Sequence, residues 1–224
     1  MTPELDYVDI LPASKHRYSL IWMHGLGADG HDFEGIVPAL KLPENHGIHF
    51  VFPNAPVQAV TVNNGMKMPS WYDILEMSLE RKVDIDGIYQ SAATIVRFIE
   101  QEIAAGIPAE NIALAGFSQG GVIALHTGLR FPQTLAGIMA LSTYLPTVEQ
   151  LKTEKAPANQ STPILMIHGT QDPVVPIQTA RQAFDALYRQ AFNIEWQSYP
   201  MEHAVCPEEV HQISAFIRSI FTEL

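Results

Sequence analysis

Short apolar runs alternate with longer amphipathic segments along the whole chain, and this alternation is the feature that most constrains its fold. Six runs are predicted to be strands, at residues 18–23, 49–52, 112–116, 138–141, 164–167 and 194–199. All but the last are apolar at consecutive positions, as strands are when helices cover both faces of a parallel sheet. A hydrophobic fraction of 47% supplies enough apolar side chains for such a core.

The segments between the strands carry helical patterns. In the first, Asp86 is predicted as the N-cap, and isoleucines from Ile88 to Ile103 recur at helical spacing until Gly106 and Pro108 end the helix. Three further helices are predicted at residues 119–131, 180–190 and 208–221. Strand–helix alternation of this kind predicts an α/β fold with a mostly parallel, doubly wound sheet and helices on both faces.

The lengths of two connections refine the predicted domain organisation. A chain of 224 residues predicts one domain, spanning residues 1–224. Residues 54–85 form a long connection, and long connections in compact domains usually serve function, so we expect substrate binding there. The connection between Leu141 and Pro163 is too short for a separate cap domain.

Charge and cysteine content narrow the partners and the compartment. Acidic residues outnumber basic ones 24 to 13, for a formal net charge of −11. Such a chain is repelled by phosphate backbones and anionic headgroups, so we expect no nucleic-acid partner. No apolar run approaches the ~20 residues of a membrane-spanning helix, and the first residues do not resemble a signal peptide. With Cys206 as the single cysteine, we expect a cytoplasmic protein without stable membrane insertion, and both a monomer and a homodimer are compatible.

A candidate nucleophile lies between a predicted strand and a predicted helix. The segment Gly116-Phe117-Ser118-Gln119-Gly120 is the one match to G-x-S-x-G in the chain. In a sharp strand-to-helix turn, this pattern lifts the serine hydroxyl clear of the sheet, and the flanking glycines avoid side-chain clashes. The alternative is a glycine-rich turn with an incidental serine, but the strand and helix on either side favour a nucleophilic role for Ser118.

Chain order selects the partners that such a serine needs, because the acid and then the histidine follow the nucleophile in this class of site. Four histidines follow Ser118: His126, His168, His203 and His211. His203 is predicted as the base, since it alone occupies a loop directly after a strand and follows the best acid. Asp172 also follows a strand, whereas Asp185 falls in mid-helix, so Asp172 is predicted as the orienting carboxylate.

A glycine-rich segment after the first long strand admits two interpretations. Residues 25–30 match the dinucleotide-binding pattern G-x-G-x-x-G, but no carboxylate follows the second strand to hold a ribose. The preferred interpretation is an oxyanion hole formed by the backbone amides of Leu26 and Gln119, with His24 in a structural role. No metal-binding spacing is present, so neither a metal nor a cofactor is expected.

Several segments together resemble one known family. They are HGLGADGHDF (24–33), PSWYD (69–73), GFSQGG (116–121), HGTQDPVVP (168–176) and the late His203. They are similar to the carboxylesterase and acyl-protein thioesterase (lysophospholipase-like) branch of the α/β-hydrolases, over about residues 6 to 222. The resemblance implies a cap-less α/β-hydrolase domain with Ser118, Asp172 and His203 as a triad. It also implies hydrolysis of short- to medium-chain carboxylic esters, acyl thioesters of proteins or lysolipids.

The long connection is also the predicted site of an acyl-chain groove. It concentrates adaptable apolar side chains, namely Met66, Met68, Trp71, Leu75, Met77 and Leu79. Of these, Trp71, Met68 and Leu75 are predicted to contact substrate, with Val174 and Val175 as further apolar wall beside Asp172. A simple core role for these residues is the alternative. Two other functions stay open, a dinucleotide-dependent oxidoreductase and a non-catalytic relic that binds ligands.

Overall fold

The computed structural model of the chain describes residues 6–76 and 82–222. Its strands, numbered β1 to β9 in chain order, are Tyr7–Ile10, Tyr18–Met23, Ile48–Pro53, Val57–Val60, Met66–Pro69, Ile112–Phe117, Gly137–Leu141, Ile164–Gly169 and Ile194–Tyr199. All six predicted strands are present, with bounds that agree within two residues. The additional strands β1, β4 and β5 are short and largely exposed, so they lack the continuous apolar pattern on which the prediction depended.

Seven strands form one sheet in the order β1-β3-β2-β6-β7-β8-β9. All neighbours are parallel except β1, which pairs antiparallel with β3. Strands β2, β3, β7 and β8 are buried at every position, which confirms the prediction of a sheet covered on both faces. After β3 the chain crosses back over β2 to reach β6. Winding therefore reverses between β2 and β6, and the carboxyl ends of these strands are where open α/β sheets bind ligands.

The helices, numbered α1 to α6, are Ile36–Ala39, Ile85–Ala104, Gln119–Gly128, Val148–Glu154, Ile177–Arg189 and Pro207–Ile220. Helices α2 to α5 pack on one face of the sheet and share a core with it. Helices α1 and α6 pack on the other face, over a second core. The predicted doubly wound architecture is thus confirmed. In the described part of the chain, no helix combines the length and apolar character needed to cross a bilayer.

The predicted N-cap of α2 is wrong by two residues. The Gly87 amide donates to Asp84 Oδ1 at 3.0 Å, so Asp84 caps the helix. An N-cap side chain accepts from an amide two or three residues further along, and Gly87 lies three residues after Asp84. Asp86 lies in the first turn instead, where its charge interacts favourably with the positive end of the helix dipole.

The long connection after β3 folds back towards the carboxyl edge of the sheet. Strands β4 and β5 pair as an antiparallel hairpin, and an isolated bridge joins Ile74 to Val83. The Gly27 amide donates to the Pro69 carbonyl at 2.9 Å, which ties the hairpin to the loop after β2. The connection therefore lies beside the predicted nucleophile, while its substrate-binding role stays a prediction.

Candidate active site

Ser118 lies in a sharp turn between β6 and α3. Its backbone has φ +55° and ψ −117°, a conformation that non-glycine residues rarely adopt and that costs about 1–3 kcal/mol. Two hydrogen bonds hold the turn: the Ser118 amide donates to the Leu141 carbonyl at 2.9 Å, and the Thr143 hydroxyl donates to the Ser118 carbonyl at 2.7 Å. The strained turn places the serine hydroxyl at the carboxyl edge of the sheet.

The glycines around Ser118 are required by close backbone packing. A Cβ atom on Gly116 would lie 2.1 Å from the carbonyl oxygen of Gly120. A Cβ atom on Gly120 would lie 2.3 Å from the carbonyl oxygen of Met23, at the end of β2. Helix α3 can therefore begin directly against the sheet only because both positions lack a side chain.

His203 and Asp172 form a continuous hydrogen-bonded chain with Ser118. The Ser118 hydroxyl donates to His203 Nε2 at 2.9 Å, and His203 Nδ1 donates to Asp172 Oδ2 at 2.7 Å. The three residues follow β6, β8 and β9, so they converge because parallel strands end at the same edge of the sheet. The structure brings together the three residues that chain order selected.

The environment of Asp172 favours its charged form. Its side chain is fully buried, and Oδ1 accepts hydrogen bonds from the amides of Val174 and Val175, both at 2.8 Å. Burial alone would raise the pKa of Asp172, but the hydrogen bonds from His203 and the two amides lower it below its ordinary value. The buried carboxylate is therefore an anion that can orient the His203 imidazole.

The other histidines after Ser118 lie in different settings. His168 is buried at the end of β8, and its Nε2 donates to the Val175 carbonyl at 2.8 Å, which braces the loop that carries Asp172. His126 is buried in α3 beside the Thr147 hydroxyl, and burial lowers its pKa to about 3. His211 is exposed on α6.

Two backbone amides near Ser118 have no acceptor within residues 6–76 and 82–222. They belong to Leu26, in the loop after β2, and to Gln119, the first residue of α3. A Cβ atom on Gly25 would lie 3.6 Å from Ser118 Cβ, so this loop contacts the serine turn. Backbone amides beside a nucleophilic serine that lack an acceptor are candidates for an oxyanion hole, and this role stays a prediction.

The glycine-rich loop at residues 25–30 is followed by turns rather than by a helix. Helix α1 begins only at Ile36, whereas a dinucleotide fingerprint requires a helix that opens at the glycines. His24 holds the loop: its Nδ1 donates to the Gly25 carbonyl at 2.7 Å, and the Ala55 amide donates to Nε2 at 3.1 Å. Residue His24 therefore has the structural role expected for it, and the loop lacks the geometry of a nucleotide site.

A cleft of about 360 Å³ lies over the Ser118 hydroxyl. Its lining includes Ser118, His203 and a set of apolar and aromatic side chains: Leu26, Val62, Tyr72, Ile74, Phe117, Tyr144 and Val174. Three of these, Val62, Tyr72 and Ile74, belong to the connection at residues 54–85. The connection thus contributes to the cleft, through residues other than the predicted Trp71, Met68 and Leu75, while its substrate-binding role stays a prediction.

Only Val174 among the five predicted groove residues lines this cleft. Trp71 is 1% exposed, and its Nε1 donates to the His24 carbonyl at 2.9 Å. Val175 is fully buried, its amide donates to Asp172 Oδ1, and its carbonyl accepts from His168 Nε2. The prediction that Trp71 and Val175 form groove wall is corrected: both are supports beneath the site.

Met68 and Leu75 are also absent from the cleft lining. Met68 is half-buried on the hairpin, where its Sδ accepts a hydrogen bond from Asn63 at 3.3 Å. Leu75 is 47% exposed. An apolar composition alone could not distinguish the cleft from the hairpin packing and the outer surface. Met77 and Leu79 lie outside the described residues.

The side chain of Gln119 is a functional feature that sequence reasoning missed. Its Oε1 accepts from the Trp71 amide at 3.1 Å, and its Nε2 donates to the Tyr72 carbonyl at 2.8 Å. Tyr72 in turn meets Tyr144 across the cleft, with the two hydroxyls 3.1 Å apart. Gln119 thus clamps the long connection to the start of α3. The family-like segment PSWYD was the one sequence signal for this contact.

Comparison with known proteins matches residues 8–221 to the phospholipase/carboxylesterase family. The chain is 37% identical to acyl-protein thioesterase 1 of Gibberella zeae, over 92% of each chain. It is 35% identical to a probable carboxylesterase of Oryza sativa subsp. japonica, over 92% of this chain and 79% of that one. The crystal structure of Arabidopsis thaliana SOBER1 superposes with a TM-score of 0.87 at 32% identity, over 91% of this chain and 99% of that chain. The α/β-hydrolase fold is thereby established, and the chain belongs to the phospholipase/carboxylesterase family.

Proposed function

We propose that the protein is a serine hydrolase that cleaves carboxylic esters and acyl thioesters through an acyl-enzyme intermediate. The observation that carries this proposal is the unbroken hydrogen-bonded chain from Ser118 through His203 to Asp172 at the floor of an apolar cleft. The family match and the names of the relatives, which include thioesterases and a carboxylesterase, support the same reaction class.

In the first step, Ser118 Oγ attacks the substrate carbonyl while His203 Nε2 takes its proton. The negative charge that develops on the carbonyl oxygen is met by the amides of Leu26 and Gln119. His203 then gives the proton to the leaving alcohol or thiol, which departs and leaves an ester between the acyl group and Ser118. In the second step, His203 activates water, which attacks this ester and releases the carboxylic acid.

Asp172 supports both steps without exchanging a proton. Its hydrogen bond to Nδ1 holds the His203 ring in the tautomer that leaves Nε2 free to accept. Its anionic form stabilises the imidazolium that exists after each proton transfer. The two amides that bind Oδ1 hold the carboxylate in place while the imidazole charge changes.

The cleft favours an acyl group as the bound part of the substrate. Val62 and Ile74 form part of an apolar wall close to Ser118, and Val174 is 40% exposed at its rim. Burial of each methylene of an acyl chain stabilises binding by about 0.8 kcal/mol. We therefore place the acyl chain in the cleft and the leaving group towards solvent. This arrangement is compatible with a small ester, an acylated protein or a lysolipid.

The test of the proposed chemistry is a Ser118→Ala variant assayed with p-nitrophenyl butyrate and with an acyl thioester. We expect its kcat to fall by a factor of about 10⁴ or more, since the nucleophile is lost. A fluorophosphonate should label Ser118 in the wild-type protein and no residue in the variant. Ser219→Ala is the matched control, because Ser219 lies on α6 and does not line the cleft, and it should retain full activity. Labelling of a different serine, or activity retained by Ser118→Ala, would contradict the proposal.

The leaving group is tested separately by comparing three substrates that share one acyl chain. An octanoyl p-nitrophenyl ester, an octanoyl thioester of a cysteine peptide and an octanoyl lysophospholipid place the same carbonyl at Ser118. The ratio of their kcat/KM values assigns the preferred substrate class. A protein that hydrolyses none of the three would overturn the acyl-cleft assignment.

A further inference from the structure

A second group of histidine and carboxylate side chains lies at the opposite edge of the sheet. His16 precedes β2, His49 lies near the start of β3, and Glu102 lies in the last turn of α2. These positions mark the amino ends of the strands, whereas Ser118 lies at the carboxyl ends. The group therefore has no part in the proposed hydrolysis.

The spacing of the donor atoms matches that of a metal coordination shell. One ligand atom from each of His16, His49 and Glu102 lies within 4.8 Å of the other two. Glu102 Oε2 is 3.4 Å from His16 Nε2 and 3.2 Å from His49 Nδ1. Zinc bonds of about 2.0–2.2 Å at tetrahedral angles place neighbouring ligand atoms about 3.4 Å apart. An ion can therefore bind between these atoms with only small side-chain movements.

The surrounding contacts also match those of metal ligands. A histidine that binds a metal usually donates its other ring N–H to a carboxylate, and His49 Nε2 lies 3.0 Å from Asp9 Oδ2. The Ser19 hydroxyl donates to Glu102 Oε2 and lies 2.9 Å from His16 Nε2. Asp9 thus fixes the His49 ring from behind, and Ser19 orients the carboxylate.

The cluster is more exposed on the His16 side than on the side of His49 and Glu102, so an ion can reach it from solvent. The side chains of His49 and Glu102 are 10% and 11% exposed, so their positions are held by packing. The His16 side chain is 27% exposed and lies in the loop before β2, so it forms the solvent side. A fourth coordination position can therefore be filled by water from that side.

We propose that His16, His49 and Glu102 form a binding site for a divalent transition metal, with zinc as the ion whose chemistry fits best. Two imidazoles with one carboxylate favour zinc over magnesium or calcium, which bind mainly oxygen ligands. The ion binds His16 Nε2, His49 Nδ1 and Glu102 Oε2, with Asp9 as the carboxylate behind His49. This site is independent of the proposed hydrolase function.

The proposal is tested by titrating Zn²⁺ alone into the full chain after dialysis against EDTA. Isothermal titration calorimetry and native mass spectrometry should show one Zn²⁺ per chain at this site. The midpoint of thermal unfolding should rise with zinc and return to its starting value when EDTA is added, because an ion that binds only the folded chain stabilises it.

Variants assign the ion to the cluster. His16→Ala and Glu102→Gln should abolish stoichiometric binding, and Asp9→Ala should weaken it about 10-fold or more. His31→Gln is the matched control, since His31 forms an exposed pair with Glu34 at 2.9 Å, and it should bind zinc like the wild type. The conservative Glu102→Gln change and the loop position of His16 keep the folded chain available for the measurement, which circular dichroism verifies.

Two results would overturn the proposal. One is a wild-type chain that binds no zinc, in which case the cluster is a hydrogen-bonded network only. The other is zinc binding that survives His16→Ala and Glu102→Gln but disappears in His203→Gln, which would place the ion at the Ser118 edge.

Discussion

The two edges of the sheet each assemble histidines and a carboxylate, but the arrangements differ. At the carboxyl edge, His203 has the Ser118 hydroxyl at one ring nitrogen and Asp172 at the other. At the amino edge, His49 has a carboxylate at both nitrogens, from Glu102 and Asp9. The same residue types therefore support different chemistry.

The difference in chemistry between the two histidines depends on whether one ring nitrogen is free to accept a proton. His203 Nε2 can accept the serine proton, because Asp172 holds the other nitrogen as a donor. Burial alone would lower the pKa of His49, but hydrogen bonds with Glu102 and Asp9 raise it above its ordinary value. An imidazole with a carboxylate at each ring nitrogen favours its protonated form, which has no free lone pair to accept a proton from a substrate. A metal ion that replaces the proton on Nδ1 would bind both His49 and Glu102, while Nε2 keeps its contact with Asp9. A carboxylate beside a histidine therefore does not by itself identify a catalytic base. The group at the second ring nitrogen must also be known.

The largest expected effect separates the two edges directly. His203→Gln removes the general base, so we expect kcat for ester hydrolysis to fall by a factor of about 10⁴ or more. Zinc binding should be unchanged, because the cluster of His16, His49 and Glu102 lies at the other edge. His31→Gln is the control and should hydrolyse esters at the wild-type rate. A His203→Gln variant that retains more than a tenth of the activity would remove the distinction between the two edges.

A second prediction concerns how tightly the carboxyl edge is built. Gly120→Ala would place Cβ 2.3 Å from the Met23 carbonyl oxygen, so we expect the free energy of unfolding to fall by about 3 kcal/mol or more. Gly35→Ala is the matched control, since no atom lies within 4 Å of its Cβ position and its backbone is already helical. That change should stabilise the protein by about 0.4–1 kcal/mol. Urea denaturation measures both, and equal effects would show that the serine turn tolerates a side chain.

The smallest effect concerns the cleft that distinguishes the carboxyl edge from the amino edge. Val62→Trp fills part of the cleft, so we expect the ratio of kcat/KM for octanoyl over acetyl p-nitrophenyl esters to fall about 10-fold, as loss of about two buried methylenes would predict. Leu75→Trp is the control, because Leu75 belongs to the same connection but lies outside the cleft. If both variants show the wild-type ratio, the acyl chain lies elsewhere.

The triad residues could be predicted from local sequence patterns, whereas most residues of the cleft could not. Ser118, Asp172 and His203 could be selected from sequence because each directly follows a strand, and parallel strands end at one edge. The groove residues could not, because Trp71 and Ile74 lie three positions apart in one irregular segment, yet Trp71 is buried beneath the site and Ile74 lines the cleft. No hydrophobic periodicity records which way an irregular segment faces.

The sequence by itself determined six of the seven strands of the main sheet, helices α2, α3, α5 and α6, the doubly wound architecture and the order of the nucleophile, acid and base. These depend on local patterns and on the general geometry of parallel sheets. Only the tertiary structure decided that Gln119 clamps the long connection, and that His16, His49 and Glu102 meet at one point. Those contacts join residues 33 to 86 positions apart in the chain, as the 53-residue separation of His49 and Glu102 illustrates. Their positions are set by strand order and helix packing, which no local spacing reveals.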